Sequence, residues 1–268
     1  MLCSLLDRAE LAMRQLGHEL YPHQREALRV QGDLHDLLLC AATGGGKSAA
    51  FQAAAYASPD TLTVVCSPLV ELIFEQTDRS NTDLDALHAL GWPEGHAKCG
   101  SHERPAEGYG TVRRDAAVGG RQGVSPTGEG AAADAEDSAA QDAPALREGS
   151  LAWHIAHDPT LRLVYLTPEE LASKEGGCWT SASAKLQWAL VHCGRPIRAW
   201  VYDEIHLVEK WGSTFREAYL HICEARLSVE AQRRVRQRER SICVACTATF
   251  QRRQVGSKQS PRMAVRAR

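Results

Sequence analysis

Residues Leu37-Leu38-Leu39-Cys40-Ala41-Ala42-Thr43-Gly44-Gly45-Gly46-Lys47-Ser48 decide how this chain folds. The apolar run at 37–40 reads as a short buried strand, and the small-residue run from Ala49 to Tyr56 reads as a helix. Strand, glycine loop and helix start, in that order, make a phosphate-binding loop. Glycines let the backbone turn tightly, so several N–H groups aim at one phosphate while the helix N-terminus adds partial positive charge. Thr43, Gly44, Gly45 and Gly46 would form the cradle. Lys47 would reach the β- and γ-phosphates, and the Ser48 hydroxyl would hold Mg²⁺. Ala41 stands where the general pattern has glycine. A glycine-rich turn that happens to carry Lys-Ser is the plain alternative.

A second stretch answers the first. Arg198-Ala199-Trp200-Val201-Tyr202 reads as a buried strand running into Asp203-Glu204-Ile205-His206. Two adjacent carboxylates at a strand end are costly unless a cation or solvent meets them. With Lys47-Ser48 they complete a Mg-nucleotide site: Asp203 as a metal ligand, Glu204 to orient or deprotonate the attacking water. A surface Asp-Glu pair is the competing reading.

Around these two stretches the pattern alternates. Residues 2–17 carry apolar side chains at helical spacing with Gly17 as a stop, and Pro22 opens a second helix. Gln24 stands about twenty residues before the phosphate loop, where its amide could donate to and accept from adenine; a solvated helix face is the equal alternative. Thr61 to Ser67 reads as a strand ended by Pro68, followed by a helix from Leu69 to Thr77. A short helix spans Trp153–His157, a strand Leu161–Leu166, and a helix 183–193, with Leu186, Trp188, Leu190 and Val191 available to the sheet. This succession predicts an α/β domain around a mostly parallel sheet.

Residues 93–149 break the pattern. Gly, Ala, Ser and acidic residues dominate, large apolar residues are few, and the composition predicts a low-complexity, disordered insertion. The domain is therefore expected from residues 1–92 and 150–250, with 251–268 as a basic, unpatterned tail. From Ser228 to Arg268 there are eleven Lys and Arg against two acids. The tail reads as a nucleic-acid contact, a solvated end or the scar of a truncation.

The totals narrow the class. Thirty-one Lys and Arg against 33 Asp and Glu leave no global field favouring a polyanion, and 44% hydrophobic residues suffice for a core. No apolar run of about 18 residues suggests a membrane span, and the first residues lack the charged start and apolar core of a signal peptide. The nine cysteines are scattered and several lie in apolar runs, the pattern of buried thiols in a reducing compartment. Cys243 and Cys246 lack a second pair at zinc spacing and read as strand residues. His96, Cys99 and His102 are close in sequence but offer no fourth ligand.

The phosphate loop in its A-x-T-G-x-G-K-S form, together with Asp203-Glu204-Ile205-His206, resembles superfamily 2 helicases. Trp211-Gly212-Ser213-Thr214-Phe215-Arg216-Glu217-Ala218-Tyr219 narrows this: RecQ-type DNA helicases carry D-E-A-H, then Q-W-G-x-x-F-R-x-x-Y at the same spacing. Lys210 replaces the glutamine and Ile205 the alanine. Trp211, Phe215 and Arg216 thus resemble the residues that couple single-stranded DNA to ATP hydrolysis, by stacking on bases and contacting phosphate. Tyr21-Pro22-His23-Gln24 resembles the adenine-reading motif. Ser67-Pro68-Leu69 with Glu75-Gln76 resembles motif Ia, which lies against the DNA backbone. Leu166-Thr167-Pro168-Glu169-Glu170-Leu171 resembles motif Ib, with Glu170 in place of an arginine and one phosphate contact fewer. Ala245-Cys246-Thr247-Ala248-Thr249 resembles motif III, linking His206 to the nucleic-acid side.

The resemblance implies a three-layer RecA-like domain that binds ATP and Mg²⁺, with Lys47, Asp203, Glu204 and His206 in catalysis. It implies single-stranded or forked DNA as partner, 3′–5′ translocation, and a second RecA-like domain for unwinding. It also implies a nuclear or chromosomal setting, with the cytoplasm as the alternative. The match ends after Thr249, which suggests a fragment with a first motor domain only. An RNA helicase of superfamily 2, a non-catalytic nucleotide- or DNA-binding fragment and a small-molecule kinase are the rivals.

Overall fold

The computed structural model describes residues 4–83, 89–91, 144–207, 217–235, 241–248 and 264–265. Contacts group residues 1–97 and 146–268 into one unit and 98–145 into another, and of the second only residues 144 and 145 are described. The reading of 93–149 as a disordered insertion lies almost wholly outside the described residues, as do His96, Cys99 and His102.

The elements in chain order are α1 Leu5–Gln15, α2 Pro22–Gly32, β1 Leu37–Cys40, α3 Lys47–Tyr56, β2 Leu62–Cys66, α4 Val70–Asp83 and β3 Ala89–Gly91. After the second unit come α5 Leu151–His157, β4 Leu163–Leu166, α6 Pro168–Ala172, β5 Lys174–Glu175, β6 Cys178–Trp179, α7 Ser181–His192 and β7 Ile197–Tyr202. The chain continues through α8 Ala218–Val235 and β8 Ile242–Thr247 to β9 Ala264–Val265. Seven strands form one sheet in the order β3-β4-β2-β7-β8-β1-β9, and every adjacent pair is parallel. The pairing of Ala264–Val265 with Leu37–Leu38 sets an edge strand within the stretch read as an unpatterned tail.

Parallel strands are covered on both faces, and two apolar clusters do the covering here. On one face Val65, Val201, Val244 and Cys246 meet α1, α2 and α3. Helix α3 owes its fit to Ala50, Ala53, Ala54 and Ala55, all buried, which let the backbone lie close to the sheet, while Phe51 fills the remaining space. Complete burial of a side chain such as Phe51 contributes about 1.5–3 kcal/mol. On the other face Val64, Cys66, Trp200 and Cys243 meet α5, α6, α7 and α8. The result is a three-layer α/β/α domain.

Local chemistry fixes the ends of these helices. Ser4 and Asp7 form a reciprocal capping box at the start of α1. Thr167 and Glu170 do the same for α6: Glu170 N–H donates to Thr167 Oγ1 at 3.3 Å, and Thr167 N–H to Glu170 Oε2 at 2.8 Å. Glu170 is therefore not merely a lost phosphate contact; it closes a helix N-terminus. Gly176 and Gly177, at φ 57° and 83°, turn the β5–β6 hairpin, which the sequence reading passed over.

Leu186, Leu190 and Val191 join the core as expected, and Trp188 packs against it partly buried, its ring stacked on His192 at 4.0 Å. Two other expectations are corrected. Leu146 already packs on the core and Ser150 caps α5, so the ordered domain begins inside the span read as insertion. Arg233, counted with the basic tail, is buried in α8. Its guanidinium donates to Leu190 O at 2.6 Å, Arg195 O at 2.7 Å and Cys193 Sγ at 3.2 Å, closing the C-terminal end of α7. Cys243 and Cys246 lie on β8 as expected.

Candidate nucleotide site

Strands β1, β2, β7 and β8 all end on the same edge of the sheet, because they run parallel. The chain leaves β1, passes through α3, and re-enters the sheet at β2 on the far side of β7 and β8. A crevice at the carboxyl ends of strands, where the connections diverge, is where open α/β sheets bind ligands. The phosphate loop follows β1 and the acidic box follows β7, so both open onto that edge.

The loop is held from three sides. Ala41 N–H donates to Thr247 O at 3.2 Å, tying it to β8. His23 Nε2 lies 2.8 Å from Gly45 O, and Gln24 Nε2 donates to Gly46 O at 2.8 Å. Gly46 has φ 73°, and a Cβ placed on it would come within 2.5 Å of Gln24 Nε2. Only glycine accommodates both the left-handed backbone and that approach. Thr43 and Gly44 stand exposed at the loop tip, and Lys47 begins α3 with its Nζ donating to Ala41 O at 3.0 Å and Ala42 O at 3.4 Å.

Gln24 is not on a solvated face. It is 2% exposed; its Oε1 accepts from Tyr21 N–H at 2.8 Å, and its Nε2 serves the loop. One N–H and one lone pair remain for a base.

On the acidic side, Asp203 is 5% exposed, with its N–H donating to Cys66 O at 2.9 Å across to β2. Asp203 Oδ1 accepts from Glu204 N–H at 3.0 Å, and Oδ2 from Gln76 Nε2 at 3.1 Å. The same Gln76 nitrogen lies 3.4 Å from Ser48 Oγ. Ser48 and Asp203, 155 residues apart in number, are thus brought within hydrogen-bond reach of one atom. Gln76, read from sequence as part of the DNA-facing motif Ia, stands between the two expected metal ligands. Its signal was a glutamine on the buried face of the helix after Ser67-Pro68.

Glu204 holds φ 47°, uncommon outside glycine and costing roughly 1–2 kcal/mol. Hydrogen bonds on either side fix it there: Glu204 N–H to Asp203 and Ile205 N–H to Cys246 O at 3.0 Å. Its Oε2 lies 3.2 Å from His206 Nδ1 without hydrogen-bond alignment. His206 Nδ1 is 3.1 Å from Thr247 Oγ1, so the acidic box touches the end of β8.

The charges meet around Cys246. Burial pushes its thiol well up, Asp203 and Glu204 add to the shift, and Lys47 opposes it. One buried sulfur therefore feels both the loop cation and the box anions. The donor set suits Mg²⁺, which prefers oxygen ligands and one or two carboxylates. Each Asp203 oxygen spends one lone pair on an N–H and keeps another, and Ser48 supplies a hydroxyl. These residues fit the ion.

Residues 21–97 match the DEAD/DEAH box helicase family. That span contains Gln24, the phosphate loop and Gln76, but not the acidic box. Among solved structures the chain is similar to the DUF1998 helicase MrfA, with 14% identity and a TM-score of 0.52 over 91% of this chain and 29% of that one. MrfA bound to DNA and AMPPNP gives the same identity and TM-score over 92% and 26%. An RNA helicase from Sulfolobus tokodaii, described as hypothetical and ATP-dependent, has 14% identity and a TM-score of 0.45 over 93% and 53%. No curated protein matches the sequence at a significant level. The likeness to MrfA is one of fold, the RecA-like three-layer domain, and the chain spans under a third of MrfA's length.

Of the expected site residues, Gln24, Thr43, Gly44, Gly45, Gly46, Lys47, Ser48, Asp203, Glu204, His206 and Thr247 gather at this edge. Trp211, Phe215, Arg216 and Thr249 lie outside the described residues.

Proposed function

We propose that this chain is the first, ATP- and nucleic-acid-binding motor domain of a superfamily 2 helicase of RecQ type, acting on single-stranded or forked DNA with 3′–5′ polarity. The observation that carries the ATP-binding part is the meeting of Ser48 and Asp203 at Gln76 Nε2. The RecQ and DNA parts rest on the spacing of Trp211, Phe215 and Arg216 after the acidic box, and are supported by the similar fold of MrfA, a helicase solved bound to DNA.

In this reading the loop N–H groups and Lys47 cradle the β- and γ-phosphates, and Gln24 contacts the adenine with its spare N–H and lone pair. Ser48 and Asp203 would hold Mg²⁺, which would neutralise phosphate charge there. Glu204, fixed by its neighbours, orients the attacking water, and His206 relays the state of the cleft to Thr247. Unwinding needs a second RecA-like domain to close on the nucleotide. The family resemblance favours a nuclear or chromosomal location, with the cytoplasm as the alternative.

The test is nucleotide binding and turnover by the purified chain, with single-stranded DNA or RNA added. The reading expects Mg·ATP binding lost in Lys47→Ala, slow hydrolysis, and a response to DNA over RNA. A preference for RNA would move the chain to the RNA helicases, and binding unaffected by Lys47→Ala would overturn the nucleotide site. Robust DNA-stimulated turnover, abolished by Lys47→Ala, would remove the need for a second domain in hydrolysis.

A further inference from the structure

We infer that Gln76 is a positioning residue for the cation site, setting the orientation of Asp203 and through it the site's affinity for Mg²⁺. This rests on the nucleotide reading above and deepens it.

A carboxylate binds a metal with the lone pairs its hydrogen bonds leave free, so its rotation decides where those lone pairs point. Asp203 is held at both oxygens. Glu204 N–H fixes Oδ1 from the adjoining backbone, and Gln76 Nε2 fixes Oδ2 from a separate helix. The backbone donor alone would leave the carboxylate free to swing about one point. The second donor makes two.

Charge sets the orientation of the Gln76 amide: an ionised carboxylate only accepts, so the NH₂ end must face Asp203. The amide is 5% exposed, and its Oε1 is buried without a hydrogen-bond partner among the described residues. Such an orphan is costly. The same amide touches the two expected metal ligands through Nε2, and a water held by the cation would be a donor of the right kind for it. The 3.4 Å contact to Ser48 Oγ is the weaker of the two Gln76 bonds and is the one a cation would displace.

Helix α4 is secured independently one turn further on. Ser80 Oγ accepts from Gln52 Nε2 at 3.0 Å and lies 3.2 Å from Tyr165 Oη. Gln76 can therefore be altered without freeing the helix. Outer residues that orient a metal ligand typically change metal affinity about 10–100-fold when removed.

The experiment titrates Mg²⁺ against binding of a fluorescent ATP analogue to the full chain, with melting temperature followed in parallel. Wild type, Gln76→Met, Asp203→Ala and the double variant are compared. Gln76→Met should raise the half-saturating Mg²⁺ concentration about tenfold or more while leaving binding in EDTA unchanged. Asp203→Ala should remove the Mg²⁺ dependence, and Gln76→Met should add nothing to it. Gln76→Asn, too short to reach, should repeat the shift and serves if Gln76→Met fails to fold. Half-saturation within about twofold of wild type in the folded variant would overturn the positioning role and leave the nucleotide reading intact. Absence of any Mg²⁺-dependent binding by the wild type would overturn the nucleotide reading and this inference with it.

Discussion

The imidazole of His206 meets the hydroxyl of Thr247, with 3.1 Å between Nδ1 and Oγ1. His206 follows the acidic box on β7, and Thr247 ends β8, whose backbone carbonyl also holds Ala41 of the phosphate loop. A change at the phosphates would thus have a short route to the end of β8. Thr247→Val keeps shape and removes the hydroxyl. It should leave nucleotide affinity nearly unchanged and abolish the effect of single-stranded DNA on that affinity. Couplings of this kind are typically about 5–150-fold. Paired titrations with and without DNA measure it, and equal coupling in variant and wild type would show that this contact carries none of it.

Gly46 offers a sharper structural test. Ala at this position must adopt a left-handed backbone and bring its Cβ within 2.5 Å of Gln24 Nε2. Gly46→Ala should lose nucleotide binding and roughly 1–2 kcal/mol of stability. Gln24→Ala removes the clash but not the backbone strain, so the double variant should recover part of the stability. A double-mutant cycle by chemical denaturation reads the coupling; strict additivity would contradict the close approach.

Arg233 should matter for stability and not for chemistry. Removing it strands the carbonyls of Leu190 and Arg195 in a buried site, at about 1–3 kcal/mol each. Arg233→Ala should therefore destabilise by about 3 kcal/mol. Arg233→Lys should rescue little, since a single ammonium cannot replace the fork. Thermal unfolding of both variants decides this, and an unchanged melting temperature would place Arg233 among ordinary surface residues.

Alkaline pH should unfold the domain through its buried groups. Burial pushes the Cys243 thiol up to about 12, against an ordinary value of 9.0, and Tyr165 up to about 12 from 10.0. Groups with raised pKa bind protons more tightly when folded. Their contribution is complete below pH 9.0, where the unfolded thiol begins to titrate, and is lost as pH rises toward 12. Denaturation midpoints should hold up to about pH 9 and fall above it, and Cys243→Ala should flatten the early part of the fall. A flat profile through pH 11 would contradict the burial of these groups.

Much of this was legible in the sequence because it is local. The order of strand, glycine loop and helix at 37–56, and the apolar run ending in Asp203-Glu204, are patterns a few residues wide. So are Gly17 and Pro22, which bound α1 and α2. What was missed depends on partners far along the chain. Nothing near Arg233 says that the end of α7 needs a donor, so it read as one more basic residue. Gln76 read as nucleic-acid-facing because only the packed helix shows which turn of α4 overlies Asp203. The role of Glu170 was hidden differently, since the family comparison drew attention to the arginine it replaced instead of to Thr167 three residues before it.

The central claim is that the phosphate loop and the acidic box hold one Mg-bound triphosphate. The most direct measurement is the electron paramagnetic resonance spectrum of Mn²⁺, as a Mg²⁺ substitute, with the chain and a non-hydrolysable ATP analogue. A single bound Mn²⁺ species is expected, appearing only with nucleotide, coupled to its phosphorus nuclei, and lost equally in Lys47→Ala and Asp203→Ala. Phosphorus-coupled Mn²⁺ that survives Asp203→Ala unchanged would separate the two halves of the site and contradict the account.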